Sequence, residues 1–187
     1  MPHGWTKDYN HAERLLWQDP VRILSDIGLK TGQTLVDIGC GDGFFSVPAA
    51  RMVGSIGLVY AIDSSVEAID DLKQKAGQLN NIRTYVANAE QSILCEQCAD
   101  VVLMANVLHD FVDPAAVLLN SDKMLKPEGI LVDLDWKKDP QQMHGPPLSR
   151  RLNEDEAESL LQAQGFCVFS RSLSGPFHYL LLAQRLR

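Results

Sequence analysis

The stretch Leu35-Val36-Asp37-Ile38-Gly39-Cys40-Gly41-Asp42-Gly43-Phe44 decides how this chain is read. Residues 34–38 are short, apolar and partly β-branched, the pattern of a buried strand. Three glycines at alternate positions follow, and the run from Phe44 through Val47 to Val53 suits a helix. Strand, glycine turn and helix together present backbone N–H groups and the positive end of a helix to a ligand. A Cβ would obstruct both the tight turn and the ligand's approach.

The spacing bears on which ligand. A dinucleotide fingerprint requires G-x-G-x-x-G, with its third glycine packing helix on strand beside a pyrophosphate. Counted from Gly39, Phe44 fills that third position. Asp37 adds a carboxylate just before the turn, which would repel a pyrophosphate and attract a cation. A nucleoside with a positively charged tail fits better than a dinucleotide.

These residues resemble the first motif, acid-x-G-x-G-x-G, of the class I S-adenosylmethionine-dependent methyltransferases. The chain is similar in particular to small members related to the ubiquinone and menaquinone C-methyltransferases. The resemblance runs from about Trp17 to the C-terminus. It implies S-adenosylmethionine as cofactor, S-adenosylhomocysteine as product, and methyl transfer to a small-molecule acceptor. Two other classes stay open at this stage: a cofactor-binding protein without turnover, and a nicotinamide-dependent reductase.

Composition sets the outer bounds. The 187 residues suit a single domain, with residues 1–30 as an N-terminal helical cap and 31–187 as the core. A net charge of −7 argues against general affinity for nucleic acid or an anionic membrane. Neither a signal peptide nor an apolar run of membrane-spanning length is visible, so a cytoplasmic protein is expected, as monomer or homodimer. Four cysteines fit a reducing compartment. Cys95 and Cys98 lack a second pair to complete a zinc site and read as two ordinary thiols; no metal is expected. Cys40 reads as a small filler within the turn.

Upstream, residues 8–17 suit a short helix, and Asp19-Pro20 an N-cap and first position for another that stops near Gly28. In similar methyltransferases such helices cap the cofactor and shape the acceptor pocket; covering one end of the sheet is the alternative. Downstream, Gly57–Asp63 reads as a second buried strand ending in an acid, twenty residues after Gly43. A carboxylate there can accept both ribose hydroxyls of an adenosine. Ser64 and Ser65 then cap a helix through Ala76.

Residues 81–87 read as a third strand, followed by Asn88-Ala89-Glu90. The family usually places an acid at the first of these, near the adenine amino group; Asn88 offers an amide oxygen instead. Ala99–Ala105 is an unbroken apolar strand, as a central parallel strand should be. It runs into Asn106–Phe111, the segment that in the family passes under the methionine end of the cofactor. Asp113-Pro114 starts a helix through Lys126, and Pro127-Glu128-Gly129 resembles the family's turn before the strand 130–134, with Glu128 in place of a glycine.

Residues 135–151 read as a loop leaving the carboxyl end of a strand, where open α/β sheets bind ligands. Its Lys137, Lys138, Arg150 and Arg151 form either a rim for an anionic acceptor or a solvated loop. Asn153 caps an acidic helix to Gln164, and residues 166–169 and 179–183 close the chain as two strands. The expected fold is α/β: one twisted, mainly parallel sheet between helices, with a helix in each connection up to the closing pair. The resemblance makes this a Rossmann-like three-layer sandwich of seven strands, the last antiparallel. The cofactor-binding set it implies is Asp37, Gly39, Cys40, Gly41, Asp63, Ser64, Asn88, Ala89 and Asn106. His109 is the candidate general base for a phenol or carbon acid, or else a structural histidine at a helix start.

Overall fold

The computed structural model describes residues 11–186. Residues 8–10 of the first expected helix lie outside them. Seven strands form one sheet in the order β3-β2-β1-β4-β5-β7-β6. They are β1 (Thr34–Ile38), β2 (Leu58–Asp63), β3 (Ile82–Val86), β4 (Ala99–Ala105), β5 (Leu125–Trp136), β6 (Phe166–Ser174) and β7 (His178–Arg185). The first five pair in parallel, while β7 runs against both of its neighbours. The six helices are α1 (His11–Trp17), α2 (Pro20–Asp26), α3 (Ser46–Val53), α4 (Val66–Ala76), α5 (Pro114–Met124) and α6 (Glu154–Ala163).

Period-two alternation sends successive side chains of each strand into opposite layers. On one face Leu35, Val59, Val101, Leu103 and Val132 pack with Leu24 and Ile27 of the α2 region and Ala49, Ala50 and Val53 of α3. Cys40, Val47 and Ala61 extend that face to Ile69 and Leu72 of α4. On the other face Val36, Val102, Met104, Leu131 and Leu181 pack with Val117 and Leu118 of α5 and Ala157 and Leu161 of α6. The helices begin where their caps dictate: Asp19, Ser65, Asp113 and Asn153 each accept first-turn backbone N–H groups through the side chain.

Several elements differ from the sequence reading. Between β3 and β4 there is a single 3-10 turn, Ala89–Gln91, and no α-helix. Asn88 and Ser92 fold this segment back on itself through the Glu90 N–H and the Asn88 carbonyl. Cys95 and Cys98, expected as separate thiols, are joined as a disulfide. Helix α5 ends at Met124, and β5 starts at Leu125. At its other end β5 continues through Asp135 and Trp136, which had been assigned to a loop. Pairing with Tyr179 and His178 of β7 extends it. Among the described residues no helix is long and apolar enough to cross a membrane.

Candidate active site

The carboxyl ends of β1 to β5 open into one cleft of about 1380 Å³. Asp37, Gly39, Cys40, Gly41, Asp63, Ser64, Asn88, Ala89, Asn106 and His109 all line it. Residues separated by up to seventy positions meet there because parallel strands deliver all their following loops to one edge.

The glycine turn differs chemically from the sequence expectation. Gly39 and Cys40 both donate their N–H to the Ile62 carbonyl, at 2.8 and 3.0 Å. Gly43 donates to the Cys40 carbonyl, and Gly41 to Asp63 Oδ2 at 2.9 Å. These four N–H groups are therefore spent within the protein, not offered to an anion. A pyrophosphate would find no cradle here. The glycines still differ among themselves. A Cβ on Gly39 would stand 2.5 Å from Val107 Cγ2, and one on Gly43 would strike Leu72. Gly41, with φ at +53°, has nothing within 4 Å of that position. It leaves an open shelf on the cleft wall that a side chain would fill.

Asp63 sits at the centre of this wall. Its Oδ2 accepts from Gly41 and its Oδ1 from the Ser65 N–H at 2.9 Å. Each oxygen keeps a second acceptor position for a ligand hydroxyl. Asp37 lies beneath, 1% exposed, with the Ser46 hydroxyl donating to it at 2.5 Å. Burial, with the nearby Asp63 charge, raises its pKa to about 6, against the hydrogen bond from Ser46. The Cys40 thiol is buried, and burial with the charges of Asp37 and Asp63 pushes its ionisation far up. It packs as a filler, and only its backbone belongs to the turn's function. Asn88 Oδ1 is committed to the Glu90 N–H at 2.8 Å, and so acts as the cap of the 3-10 turn.

The opposite wall comes from β4, β5 and the loop after β5. Asn106 adopts φ +58°, a conformation asparagine tolerates better than most residues. Its Nδ2 donates to Gln18 Oε1 at 3.2 Å, while its Oδ1 is buried with no partner among the described residues. Next to it, His109 is 4% exposed in its side chain. Its Nδ1 lies 2.7 and 2.9 Å from the two oxygens of Asp135, and its Nε2 3.2 Å from Asp110.

Three residues in or behind the cleft, Asp135, Arg14 and Glu90, escaped the sequence reading. Asp135 was hidden in an assumed loop, although two acids two apart in an apolar strand, Asp133 and Asp135, are a signal of a polar site on one face. Arg14 of α1 stacks its guanidinium 3.7 Å from the centre of the Phe44 ring, at the cleft edge. Glu90 accepts the N–H groups of Val112 and Asp113, tying the turn beside Asn88 to the segment after His109. Arg151 holds the loop itself. Three of the four cations of that loop are engaged within the protein. Arg150 pairs with Asp110 at 2.7 Å, Lys138 with Glu156 at 2.9 Å, and Arg151 donates inward to the carbonyls of Lys137, His144 and Pro146.

A model of the methyltransferase domain matches residues 29–171. A crystal structure of an S-adenosylmethionine-dependent methyltransferase from Aquifex aeolicus superposes with a TM-score of 0.87 at 30% identity, covering 93% of both chains. A type 11 methyltransferase structure from Sulfolobus solfataricus gives 0.77 at 26% identity, over 91% of this chain and 94% of that one. A demethylmenaquinone methyltransferase of Staphylococcus aureus is 27% identical over 114 residues, 61% of this chain and 47% of the relative. The chain thus spans about half the length of the curated relatives it matches. It belongs to the class I S-adenosylmethionine-dependent methyltransferases.

The cleft fits that family's cofactor. The shelf at Gly41 accepts a close ligand, Asp63 keeps acceptor positions beside it, and the buried Asp37 favours a cationic group. At the far end Asn106 Oδ1, which has no partner among the described residues, could accept from the cofactor's ammonium. The nicotinamide alternative loses its footing, since the turn's N–H groups are already taken.

Proposed function

We propose that this chain transfers a methyl group from S-adenosylmethionine to a small aromatic acceptor lying over residues 106–111. One observation carries the reading: the Gly41–Asp63 wall and the His109–Asp110 wall face a single cleft. The cofactor supplies a methyl already activated on a sulfonium sulfur. The protein's part is to align the acceptor's lone pair and to exclude water.

Asp63 would hold the ribose hydroxyls, with Gly41 and Ser64 beside it and Asn88 and Ala89 flanking the base. Asp37 and Asn106 would face the charged tail. Phe44, Phe111 and Trp136 give the acceptor side an aromatic lining, consistent with relatives named for demethylmenaquinone. The internal engagement of Lys138, Arg150 and Arg151 argues against a basic rim around the acceptor. A cytoplasmic protein acting as monomer or homodimer, without nucleic-acid or membrane partners, completes the reading.

The test is calorimetric titration with S-adenosylhomocysteine, followed by incubation with methyl-labelled cofactor and a panel of quinols, phenols, thiols and amines. Binding of the product nucleoside and label transfer to an aromatic acceptor are expected. Cofactor binding with no transfer to any panel member would instead support a binding protein without turnover.

A further inference from the structure

Both ring nitrogens of His109 have a carboxylate as partner, Asp135 at Nδ1 and Asp110 at Nε2. A neutral imidazole has one N–H and one lone pair, so it would turn a lone pair toward one of these acids. An imidazolium suits both: it hydrogen-bonds Asp135 through Nδ1 and sets its positive charge against Asp110 at an ion-pair distance of 3.2 Å. Asp135 also accepts the N–H groups of His109, at 3.2 Å, and of Trp136, at 2.7 Å. Arg150 reaches the same Asp110 oxygen at 2.7 Å, so charges alternate along Arg150, Asp110, His109 and Asp135.

Asp110 lies on the same 3-10 turn, Asp135 on β5, and Arg150 on the 3-10 turn Leu148–Arg150. Behind Asp135, Asp133 of β5 and Tyr179 of β7 are buried, and burial raises the proton affinity of both. Burial and Arg150 oppose a charge on His109, but the hydrogen bond and charge of Asp135, with Asp110, prevail and raise its proton affinity.

We propose that His109 stands in the cleft as an imidazolium that holds the acceptor as an anion, which makes the acceptor class a hydroxy-aromatic compound reacting as its phenolate. The inference rests on the reading of this cleft as a methyl-transfer site. The two sides of the ring are unequal: Nδ1 is held at 2.7 Å and Nε2 at 3.2 Å. The Nε2 contact is thus the one an entering anion can share, with Asp110 retained by Arg150. The phenolate's electron pair forms the new bond to the methyl carbon as the methyl–sulfur bond breaks, and that bond's pair stays on sulfur. One positive and one negative charge vanish together, a step favoured where water is excluded. If the bond forms at a ring carbon, that carbon's proton leaves to water. His109 keeps its own proton throughout and is no general base.

The experiment uses ¹⁵N-histidine-labelled protein with S-adenosylhomocysteine, read by NMR from about pH 5.5 to 9, with His109→Gln assigning the resonance. Both ring nitrogens should be protonated at about pH 7. Asp110→Asn, at a partly exposed position, should make His109 bind its proton about tenfold less tightly. Added 4-nitrophenol, followed by its visible absorbance, should bind about tenfold better as phenolate than as phenol, and His109→Gln should erase that preference. A lone pair at Nε2 at pH 7, no phenolate preference, or a preference that survives His109→Gln overturns the proposal. Calorimetry on the same sample keeps the two readings apart. Failure to bind S-adenosylhomocysteine removes the methyl-transfer reading and this inference with it, whereas binding with a neutral His109 removes this inference alone.

Discussion

Asp63 accepts the backbone N–H of Gly41 at 2.9 Å, which fastens the acid ending β2 to the turn that follows β1. One carboxylate therefore shapes the turn and faces the ligand. Asp63→Ala should weaken S-adenosylhomocysteine binding at least tenfold, given about 1.5–3 kcal/mol for each charge-assisted bond lost. The melting temperature should fall modestly as well, because the Gly41 and Ser65 N–H groups lose their acceptor. Calorimetry and thermal denaturation read the two effects separately. Unchanged affinity would remove Asp63 from the ribose.

The three glycines of the turn should respond differently to a methyl group. Gly41→Ala meets open space and a left-handed backbone cost of about 1–2 kcal/mol, so the fold should persist while the shelf is filled. Gly39→Ala and Gly43→Ala add clashes with Val107 and Leu72 and should unfold at clearly lower temperature. Gly41→Val should abolish cofactor binding with its circular dichroism retained. Normal binding by Gly41→Val would place the ligand elsewhere.

Asp37 predicts a pH signature. Its folded pKa of about 6 lies above its ordinary value of 3.8, so the folded protein holds this proton more tightly. Its contribution to stability is therefore best below about pH 4, and falls by roughly 3 kcal/mol as pH rises through 6. Binding a sulfonium favours the ionised carboxylate and expels the proton. Affinity for S-adenosylmethionine should thus drop below pH 6 more steeply than affinity for uncharged-sulfur S-adenosylhomocysteine. Asp37→Asn should flatten that difference and raise the melting temperature at pH 8. Parallel pH profiles for the two ligands would take Asp37 away from the sulfonium.

The β1 turn, the acid at Asp63 and the caps at Asp19, Ser65, Asp113 and Asn153 are local patterns, and local patterns are legible in a chain. The strand order came through the resemblance, because nothing in residues 166–185 says which neighbour β7 will choose. Asp135 and Trp136 went unseen as strand residues for the same reason: β7 extends β5, and pairing partners leave no local mark. The loop cations looked free because Asp110, Glu156 and the loop carbonyls that hold them are distant in sequence or belong to backbone. The N–H groups of Gly39, Cys40 and Gly41 looked free because their acceptors, the Ile62 carbonyl and Asp63, sit at the end of β2. Composition and spacing report which groups exist; only the fold reports which are already satisfied.

Arg151 supplies the last prediction. Its side chain is buried, and its guanidinium donates to the carbonyls of Lys137 at 3.1 Å, Pro146 at 2.8 Å and His144 at 2.5 Å. A single planar cation thus closes residues 137–147 over the acceptor side, beside the Trp136 ring. Lysine cannot serve these diverging acceptors with one ammonium, and methionine keeps the stem without any donor. Arg151→Met should cost the closed loop about 2 kcal/mol or more, one charge-assisted hydrogen bond at the least. Amides of residues 138–147 should then exchange hydrogen roughly thirtyfold faster, while those of β1 and β4 stay protected. S-adenosylhomocysteine affinity should stay within a few-fold, since Gly41 and Asp63 stand on the other wall. Methyl transfer should fall further, because an open loop admits water and loosens the acceptor. Arg151→Lys should lie between the two. Equal protection of the loop in wild type and Arg151→Met would show that the aromatic contacts of Trp136 and His144, and not the guanidinium, hold it closed.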